Sequence, residues 1–233
     1  MLDSGSTSSP GMTLTLMPAN TAIENRAALL LKLRTQGIRN TDVLRAIEMV
    51  PREMFVPHQL ADLAQRDLPL PIACGQTMSE PSLVARMLEA LDIDRAHRVL
   101  EIGTGSGYVT ASLASLAKHV TSIERFRTLA SGAQTRLAQL GLNNVEIVCG
   151  DGLATDVAGP FDRILVHLSL DEPSATLLGR LTADGVLVCG RSAGQGRGAS
   201  LVRLTRNLQG EIEESDLGPC LLPKPITGIA EAL

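Results

Sequence analysis

Aromatic side chains are scarce in this 233-residue sequence, which contains no tryptophan, one tyrosine and three phenylalanines. Proteins that hold single-stranded nucleic acid stack the bases on aromatic rings, so this scarcity weakens any hypothesis of base stacking. An excess of basic residues is also missing, because the formal net charge at pH 7 is −4. The composition therefore disfavours nucleic acid as a partner, since such binding depends on neutralising phosphates with lysine and arginine.

Long apolar segments are missing as well. No apolar run approaches the roughly 20 residues of a membrane-spanning helix, and the N-terminus lacks the basic and apolar regions of a secretory signal. The four cysteines and four histidines are scattered, with neither a Cys-x-x-Cys spacing nor a metal-ligand cluster. We therefore expect a cytoplasmic protein with reduced thiols, no membrane partner and no bound metal.

The length fits one domain with a substantial core. Residues 1–20 are rich in serine, glycine and proline, and they are predicted to be a flexible tail. Residues 21–233 are predicted to form a single domain, with a helical and loop-rich part at 21–97 and an α/β core at 98–233. The sequence leaves the oligomeric state open, and a monomer is the expectation.

The N-terminal part shows helical periodicity at two places. Apolar residues recur at helical spacing over residues 22–36, and Gly37 follows as a typical helix-ending residue. A second helix is predicted over residues 40–50, since the polar residues at its start can cap it. Residues 51–81 contain many prolines and little periodicity, which predicts a lid or substrate platform. A helix is predicted from Pro81 to Leu91, with proline in its first turn.

The rest of the chain alternates between strands and helices. The predicted strands are residues 99–102, 120–124, 145–149, 163–167 and 186–189, and the predicted helices between them are residues 110–117, 127–140 and 173–181. Residues 200–205 and 211–217 are predicted to be antiparallel strands. Right-handed crossovers between such units produce an α/β fold with a doubly wound, mostly parallel Rossmann-like sheet.

A glycine-rich turn follows the first strand of this alternation. Gly103, Gly105 and Gly107 are placed where a ligand can approach the main chain and a helix N-terminus. A dinucleotide fingerprint would need a further glycine at position 108 or 110, where the chain has Tyr108 and Thr110. The spacing therefore disfavours NAD, and a glycine turn without a ligand is the simpler alternative.

Three acidic residues stand at the ends of successive predicted strands. Glu101 closes the first strand, Glu124 closes the second, and Asp151 lies between Gly150 and Gly152 after the third. Parallel strands end side by side, so an acid about 20 residues past the glycines is placed to accept ribose hydroxyls. Asp151 is placed to accept the exocyclic amine of adenine, although a turn aspartate bonding its own backbone is the alternative. The pattern favours S-adenosylmethionine (AdoMet), which has a ribose and a cationic sulfonium but no pyrophosphate.

Small polar residues at positions 75–80 precede the predicted helix at Pro81. Free N–H groups and the helix dipole at such a place favour a carboxylate ligand. The same residues also fit a simple helix cap, and spacing alone does not decide between the two interpretations.

Several of these segments together carry a family resemblance. They are Ala46-Ile47-Glu48-Met49-Val50-Pro51-Arg52-Glu53-Met54-Phe55-Val56-Pro57, Asp67-Leu68-Pro69-Leu70-Pro71-Ile72 and Gly75-Gln76-Thr77-Met78-Ser79-Glu80-Pro81, followed by the glycine turn, Gly150-Asp151-Gly152 and Pro160-Phe161-Asp162. Over about residues 24–225 the chain resembles the protein-L-isoaspartate (D-aspartate) O-methyltransferase family, whose fold is that of class I AdoMet-dependent methyltransferases.

The resemblance implies a repair reaction on isoaspartyl-containing peptides and proteins, in which AdoMet donates a methyl group to the α-carboxylate of an L-isoaspartyl residue. It also implies that Ser79 is the active-site hydroxyl. The residues expected to bind the cofactor are Thr77, Glu101, Gly103, Thr104, Gly105, Ser106, Gly107, Glu124, Asp151 and Gly152. Those expected to bind the substrate are Gln76, Thr77, Ser79, His167 and Leu168. An ionised carboxylate needs little acid–base help, so positioning should dominate the catalysis.

Two positions differ from the usual family pattern. Gln65 stands where the family usually has an aromatic residue, and residues 167–170 are bulkier than the usual pair of alanines. Two further hypotheses therefore stay open, namely an AdoMet-dependent methyltransferase with another acceptor and an AdoMet-binding protein without turnover. His167 itself is either a new catalytic group or a strand-end histidine that is simply hydrogen-bonded.

Overall fold

The computed structural model describes residues 19–192 and 198–230. Most of the predicted flexible tail, residues 1–18, lies outside the described residues. Residues 19 and 20 belong to the first helix, which begins three residues earlier than the apolar periodicity predicts.

The element boundaries are as follows. The helices are α1 (Ala19–Thr35), α2 (Thr41–Met49), α3 (Pro81–Leu91), α4 (Tyr108–Leu116), α5 (Arg127–Gln139) and α6 (Ala175–Leu178), with short 3₁₀ turns at Arg52–Phe55 and His58–Leu63. The strands are β1 (Leu70–Pro71), β2 (Thr77–Met78), β3 (Arg98–Ile102), β4 (His119–Glu124), β5 (Val145–Cys149), β6 (Phe161–Leu170), β7 (Leu181–Ser192), β8 (Ala199–Arg206) and β9 (Ile212–Cys220). None of the described helices is long and apolar enough to cross a membrane.

Seven strands form one sheet in the order β5-β4-β3-β6-β7-β8-β9. The first five strands in this order are parallel, whereas β8 and β9 are antiparallel to their neighbours. The order reverses direction between β3 and β6, which is the switch point where open α/β sheets bind ligands. The predicted fold class is confirmed, including the antiparallel C-terminal strands.

The central strands β3 and β6 are buried on both faces of the sheet, and their successive residues alternate between the two faces. Val99 and Leu165 belong to an apolar cluster that also contains residues of α1 to α4. Leu100 and Ile164, their neighbours in sequence, belong to a second cluster on the other face. Burial on both faces is why these strands read as continuous apolar runs in the sequence.

Local signals placed most helix ends correctly. The Asn40 side chain accepts hydrogen bonds from the backbone N–H groups of the first turn of α2, and Gly37 has a φ of +101°, as a residue that ends a helix requires. The helix predicted over residues 173–181 is shorter in the structure. It stops at Leu178 because Leu181 already pairs with Phe161 in the sheet.

The proline-rich segment 51–81 packs against the core, and it contains a hairpin that the sequence did not reveal. β1 and β2 pair through Leu70 and Met78, which are both buried. With only two residues each, these strands are too short to show a period-2 pattern. The hairpin brings residues 76–79 to the carboxyl edge of the main sheet.

Candidate active site

A pocket opens at the carboxyl ends of β3, β4, β5 and β6. Its lining includes all the sequence-predicted site residues except Glu101 and Gly107, namely Gln76, Thr77, Ser79, Gly103, Thr104, Gly105, Ser106, Glu124, Asp151, Gly152, His167 and Leu168. Segments that are far apart in the sequence therefore meet at one edge of the sheet, as the parallel topology predicts.

The three glycines of the turn after β3 have positive φ values, but their surroundings differ. A Cβ on Gly103 would lie 3.1 Å from the Cβ of His167, and one on Gly107 would lie 3.1 Å from the Cβ of Ala133. A Cβ on Gly105 would have only Ile72 Cδ1 nearby, at 3.5 Å. The absence of a side chain at Gly105 thus leaves room in the pocket, whereas Gly107 is required by internal packing.

Glu124 is the acidic residue of the pocket wall nearest to this turn. Its side chain is buried, and its Oε2 accepts a hydrogen bond from the Gly105 N–H at 2.8 Å. The other oxygen accepts from the N–H of Phe126 at 2.9 Å. These two bonds hold the carboxylate at the pocket surface, where a carboxylate can accept hydrogen bonds from ligand hydroxyls.

Asp151 lies at the far end of the pocket. Its Oδ1 accepts from the Leu153 N–H at 3.0 Å, and its Oδ2 accepts from the Gly228 N–H at 2.7 Å. The first contact matches the turn aspartate that the sequence offered as an alternative, although the residue also lines the pocket. A Cβ on the adjacent Gly152 would collide with the side chain of Ile102, so this glycine lets the turn approach β3 closely.

Glu101 is fully buried beneath the glycine turn and does not line the pocket. Its Oε2 accepts hydrogen bonds from the hydroxyls of Thr110 and Ser122, and its Oε1 lies 2.9 Å from Nε2 of His167. The His167 ring therefore stands between this carboxylate and the pocket. The sequence reasoning placed both residues at the site but did not reveal that they are paired.

Ser79 lies between the hairpin and α3, and it belongs to the pocket lining. The cap of α3 is Glu80, whose side chain makes no capping bond. Instead, Asp67 accepts from the backbone N–H of Ser82 at 2.8 Å, so the interpretation of residues 75–80 as a simple helix cap loses its basis. Among the described residues, the Ser79 hydroxyl has no hydrogen-bond partner that would occupy it.

Asp67 itself is held by a second partner, because Lys32 of α1 lies 2.7 Å from its Oδ2. Burial by itself raises the pKa of Asp67, but the hydrogen bonds from Lys32 and Ser82 outweigh it, so the pKa is lowered from its ordinary value. This ion pair ties α1 to the segment that leads to Ser79.

Sequence reasoning missed the chain segment after β9. Residues 222–226 form part of the pocket wall. The segment is attached on one side by the Ser169 N–H, which donates to the Pro223 carbonyl at 2.7 Å, and on the other by Arg125 Nε, which donates to the Gly228 carbonyl at 3.0 Å. β9 already ends at Cys220, and nothing in the local sequence indicates where the chain goes next.

The two positions that differ from the usual family pattern lie in different surroundings. Leu168 lines the pocket together with His167. Gln65 is outside the lining, and its Nε2 donates to Oε2 of Glu53 at 3.1 Å. Only the first difference is therefore in direct contact with the space available to a substrate.

Comparison with known proteins gives a consistent result. The family model described as protein-L-isoaspartate(D-aspartate) O-methyltransferase matches residues 24–222. A protein-L-isoaspartate O-methyltransferase of Rhodopseudomonas palustris (strain BisA53) is 47% identical over 204 residues, which cover 87% of this chain and 94% of the relative. One from Bradyrhizobium sp. (strain ORS 278) is 46% identical over 216 residues, covering 91% of this chain and 99% of the relative.

Solved structures show the same architecture. A protein-L-isoaspartate O-methyltransferase superposes with a TM-score of 0.76 at 25% identity, covering 87% of this chain and 66% of that one. A Plasmodium falciparum structure, described as a putative enzyme of this kind in complex with S-adenosyl-L-homocysteine, has a TM-score of 0.73 at 23% identity and covers 87% of this chain and 98% of that one. The family match, the close relatives and the pocket agree, and this chain belongs to the protein-L-isoaspartate(D-aspartate) O-methyltransferase family.

Proposed function

We propose that this protein transfers a methyl group from AdoMet to the α-carboxylate of L-isoaspartyl residues in damaged peptides and proteins. The observation that carries the proposal is the composition of the pocket. Glu124 and Asp151 lie on strand ends at its cofactor side, and the family hairpin with Ser79 forms the facing wall. A family member with both halves of this site in one pocket is equipped for the family reaction.

The pocket residues suit the chemistry of AdoMet. Gly105 leaves space close to the main chain, and Glu124 offers a carboxylate to the two ribose hydroxyls. Asp151 is placed to accept the adenine amine, and Phe126 and Leu153 supply apolar surface beside it. AdoMet, when bound, supplies a methyl group activated by the positive charge on its sulfur.

The remaining cofactor assignments divide into direct and indirect roles. We assign direct contact to the lining residues Thr77, Gly103, Thr104, Ser106 and Gly152. Glu101 and Gly107 lie behind this surface, so we propose that they act on the cofactor by shaping the turn that carries the other residues.

Catalysis rests on positioning by the chain's own groups. The Ser79 hydroxyl orients the attacking carboxylate, and Gln76, Thr77, His167 and Leu168 contribute to the same pocket lining. A carboxylate is already ionised at neutral pH, so the site needs no general base. Correct alignment of the two reacting atoms is the contribution required from the protein.

A second candidate function is favoured by one observation, the pairing of His167 with buried Glu101. A carboxylate that fixes one imidazole nitrogen leaves the other free to act as a base. Such a pair would serve methyl transfer to an acceptor that must first lose a proton. This candidate predicts activity on neutral nucleophiles that disappears in His167→Ala.

We further propose that the protein acts in the cytoplasm as a monomer, with residues 21–233 as one domain and with no nucleic-acid or membrane partner. The net charge of −4 supports the exclusion of nucleic acid. Gel filtration combined with light scattering tests the monomer.

The deciding experiment measures transfer of labelled methyl from AdoMet to two peptides that differ only in an L-isoaspartyl or an aspartyl residue. We expect label on the isoaspartyl peptide alone. An equal signal on both peptides, or none on either, would refute the proposed acceptor. An unrelated panel of neutral nucleophiles in the same assay tests the second candidate.

A further inference from the structure

One buried arginine, Arg52, contacts the chain segment that leads to Ser79. Arg52 is only 2% exposed, and its guanidinium donates hydrogen bonds to the chain between residues 64 and 79. Nη1 donates to the carbonyls of Ala64 at 2.7 Å and Arg66 at 3.3 Å, and Nη2 donates to those of Leu68 at 3.1 Å and Ser79 at 3.0 Å. We call residues 64–79 the substrate-side segment, and one side chain joins four of its carbonyls.

Burying the positive charge of Arg52 costs free energy, so its hydrogen bonds to the substrate-side segment must offset that cost. Burial lowers the pKa of the Arg52 guanidinium, and the nearby charges of Asp67 and Glu80 offset this in part. An apolar residue would avoid that cost but would remove the donor from the carbonyls of Ala64, Leu68 and Ser79. The Arg66 carbonyl would keep a second donor, the Leu68 N–H at 3.0 Å. A lysine would keep the charge but lacks the planar fork that reaches several acceptors at once. The shape of the segment therefore depends on a guanidinium at this position.

The same side chain also touches the cofactor side of the protein. Its guanidinium carbon lies 5.6 Å from the centre of the Tyr108 ring, and Tyr108 begins α4 directly after the glycine turn. Burial raises the pKa of Tyr108 to about 12, so this ring stays neutral beside the arginine. Arg52 thus connects the substrate-side segment to the helix that follows the cofactor turn.

We propose that Arg52 is the positioning residue for Ser79: it holds the Ser79 carbonyl, and with it the hydroxyl, at the distance from the cofactor turn that methyl transfer requires. Arg52 does not line the pocket, so its effect passes through the substrate-side segment and not through contact with a substrate. This inference rests on the proposed function, in which Ser79 orients the attacking carboxylate.

The test compares Arg52→Lys and Arg52→Met with a control, Leu44→Ala. Leu44 is buried in α2 and belongs to the apolar cluster that also contains Leu70 and Met78 of the hairpin. It lies outside the pocket lining. The measurements are kcat and KM for an isoaspartyl peptide, AdoMet affinity by calorimetry, and the thermal midpoint. A displacement of about 1 Å in a reacting group can cost on the order of a hundredfold in rate, so both Arg52 variants should lose kcat/KM on that scale.

A merely structural role would produce a different pattern. We expect the Arg52 variants to keep AdoMet affinity within a few fold, and Leu44→Ala to lower the midpoint while leaving kcat and KM unchanged below it. Arg52 variants that lose stability but keep the kinetic constants of the natural chain would overturn the proposal. If the uncharged Arg52→Met variant fails to fold, the same measurements on Arg52→Lys still test the proposal.

A measurement without turnover separates this inference from the proposed function. Hydrogen exchange of the amides in residues 64–79 should accelerate in Arg52→Lys more than exchange in the rest of the chain, whereas Leu44→Ala should not single out these residues. If the natural chain does not methylate the isoaspartyl peptide, the proposed function fails, whereas unchanged exchange in Arg52→Lys refutes the role of Arg52 itself.

Discussion

Gly105 and Gly107 look equivalent in the sequence, yet the structure predicts opposite consequences when each is replaced by alanine. Gly105 has a φ of +56° and Gly107 a φ of +94°. A side chain in left-handed backbone costs about 1–2 kcal/mol, which applies to both positions. A Cβ on Gly107 also meets Ala133 Cβ at 3.1 Å and Phe55 Cε1 at 3.5 Å, and overpacking adds about 1–3 kcal/mol.

Gly107→Ala should therefore lose about 2–5 kcal/mol of unfolding free energy. Its affinity for AdoMet should fall less than that of Gly105→Ala, because position 107 shapes the turn but does not line the pocket. Gly105→Ala should lose less stability, since its Cβ has only Ile72 Cδ1 at 3.5 Å. That Cβ enters ligand space, so AdoMet affinity should fall by about tenfold or more, equivalent to at least 1.4 kcal/mol.

Urea unfolding and isothermal titration calorimetry on the same preparations separate the two effects. A saturating ligand raises the midpoint of any variant that still binds it, so AdoMet should stabilise Gly107→Ala more than Gly105→Ala. The reasoning is wrong if Gly105→Ala binds AdoMet as tightly as the natural chain, or if folded Gly107→Ala loses affinity to the same degree.

The remaining predictions concern the residues expected to bind the substrate and the ion pair of Asp67 near them. Ser79→Ala should lower kcat for the isoaspartyl peptide by about ten- to a hundredfold with AdoMet affinity within a few fold; a full rate with a lowered thermal midpoint would end the catalytic assignment. Replacing Leu168 and Ser169 together by alanine should preserve or improve isoaspartyl turnover, and complete loss of that turnover would contradict a merely narrowed mouth. Asp67→Asn should cost about 1 kcal/mol of stability at neutral pH. Although burial alone raises the pKa of Asp67, its hydrogen-bond donors lower it below the ordinary 3.8, so this stabilisation is complete above about pH 4 and is lost as the pH falls through the folded value. The measurement is the unfolding free energy of Asp67→Asn and of the natural chain between pH 7 and pH 2. A difference between the two that does not change with pH would refute this stabilising role of ionised Asp67.

The sequence by itself determined the order of the elements and the edge where the site forms. Continuous apolar runs alternating with helical periods predicted the parallel sheet, because strands buried on both faces and helices buried on one face differ in period. Capping residues such as Asn40 and Gly37 located helix ends, since they act on backbone groups within a few positions. Glu124 and Asp151 could be placed together because parallel strands end at one edge.

Only the tertiary structure decided what each site residue touches. It separated the packing role of Gly107 from the open space at Gly105, and it turned Glu101 towards His167 and away from the pocket. It also brought the segment after β9 against the Ser169 backbone. These contacts join residues whose separations in the chain range from 26 to 66 positions, such as Gly107 with Ala133 and Glu101 with His167. Local periodicity carries no information about such pairs, because the packing of whole elements against each other determines which side chains meet.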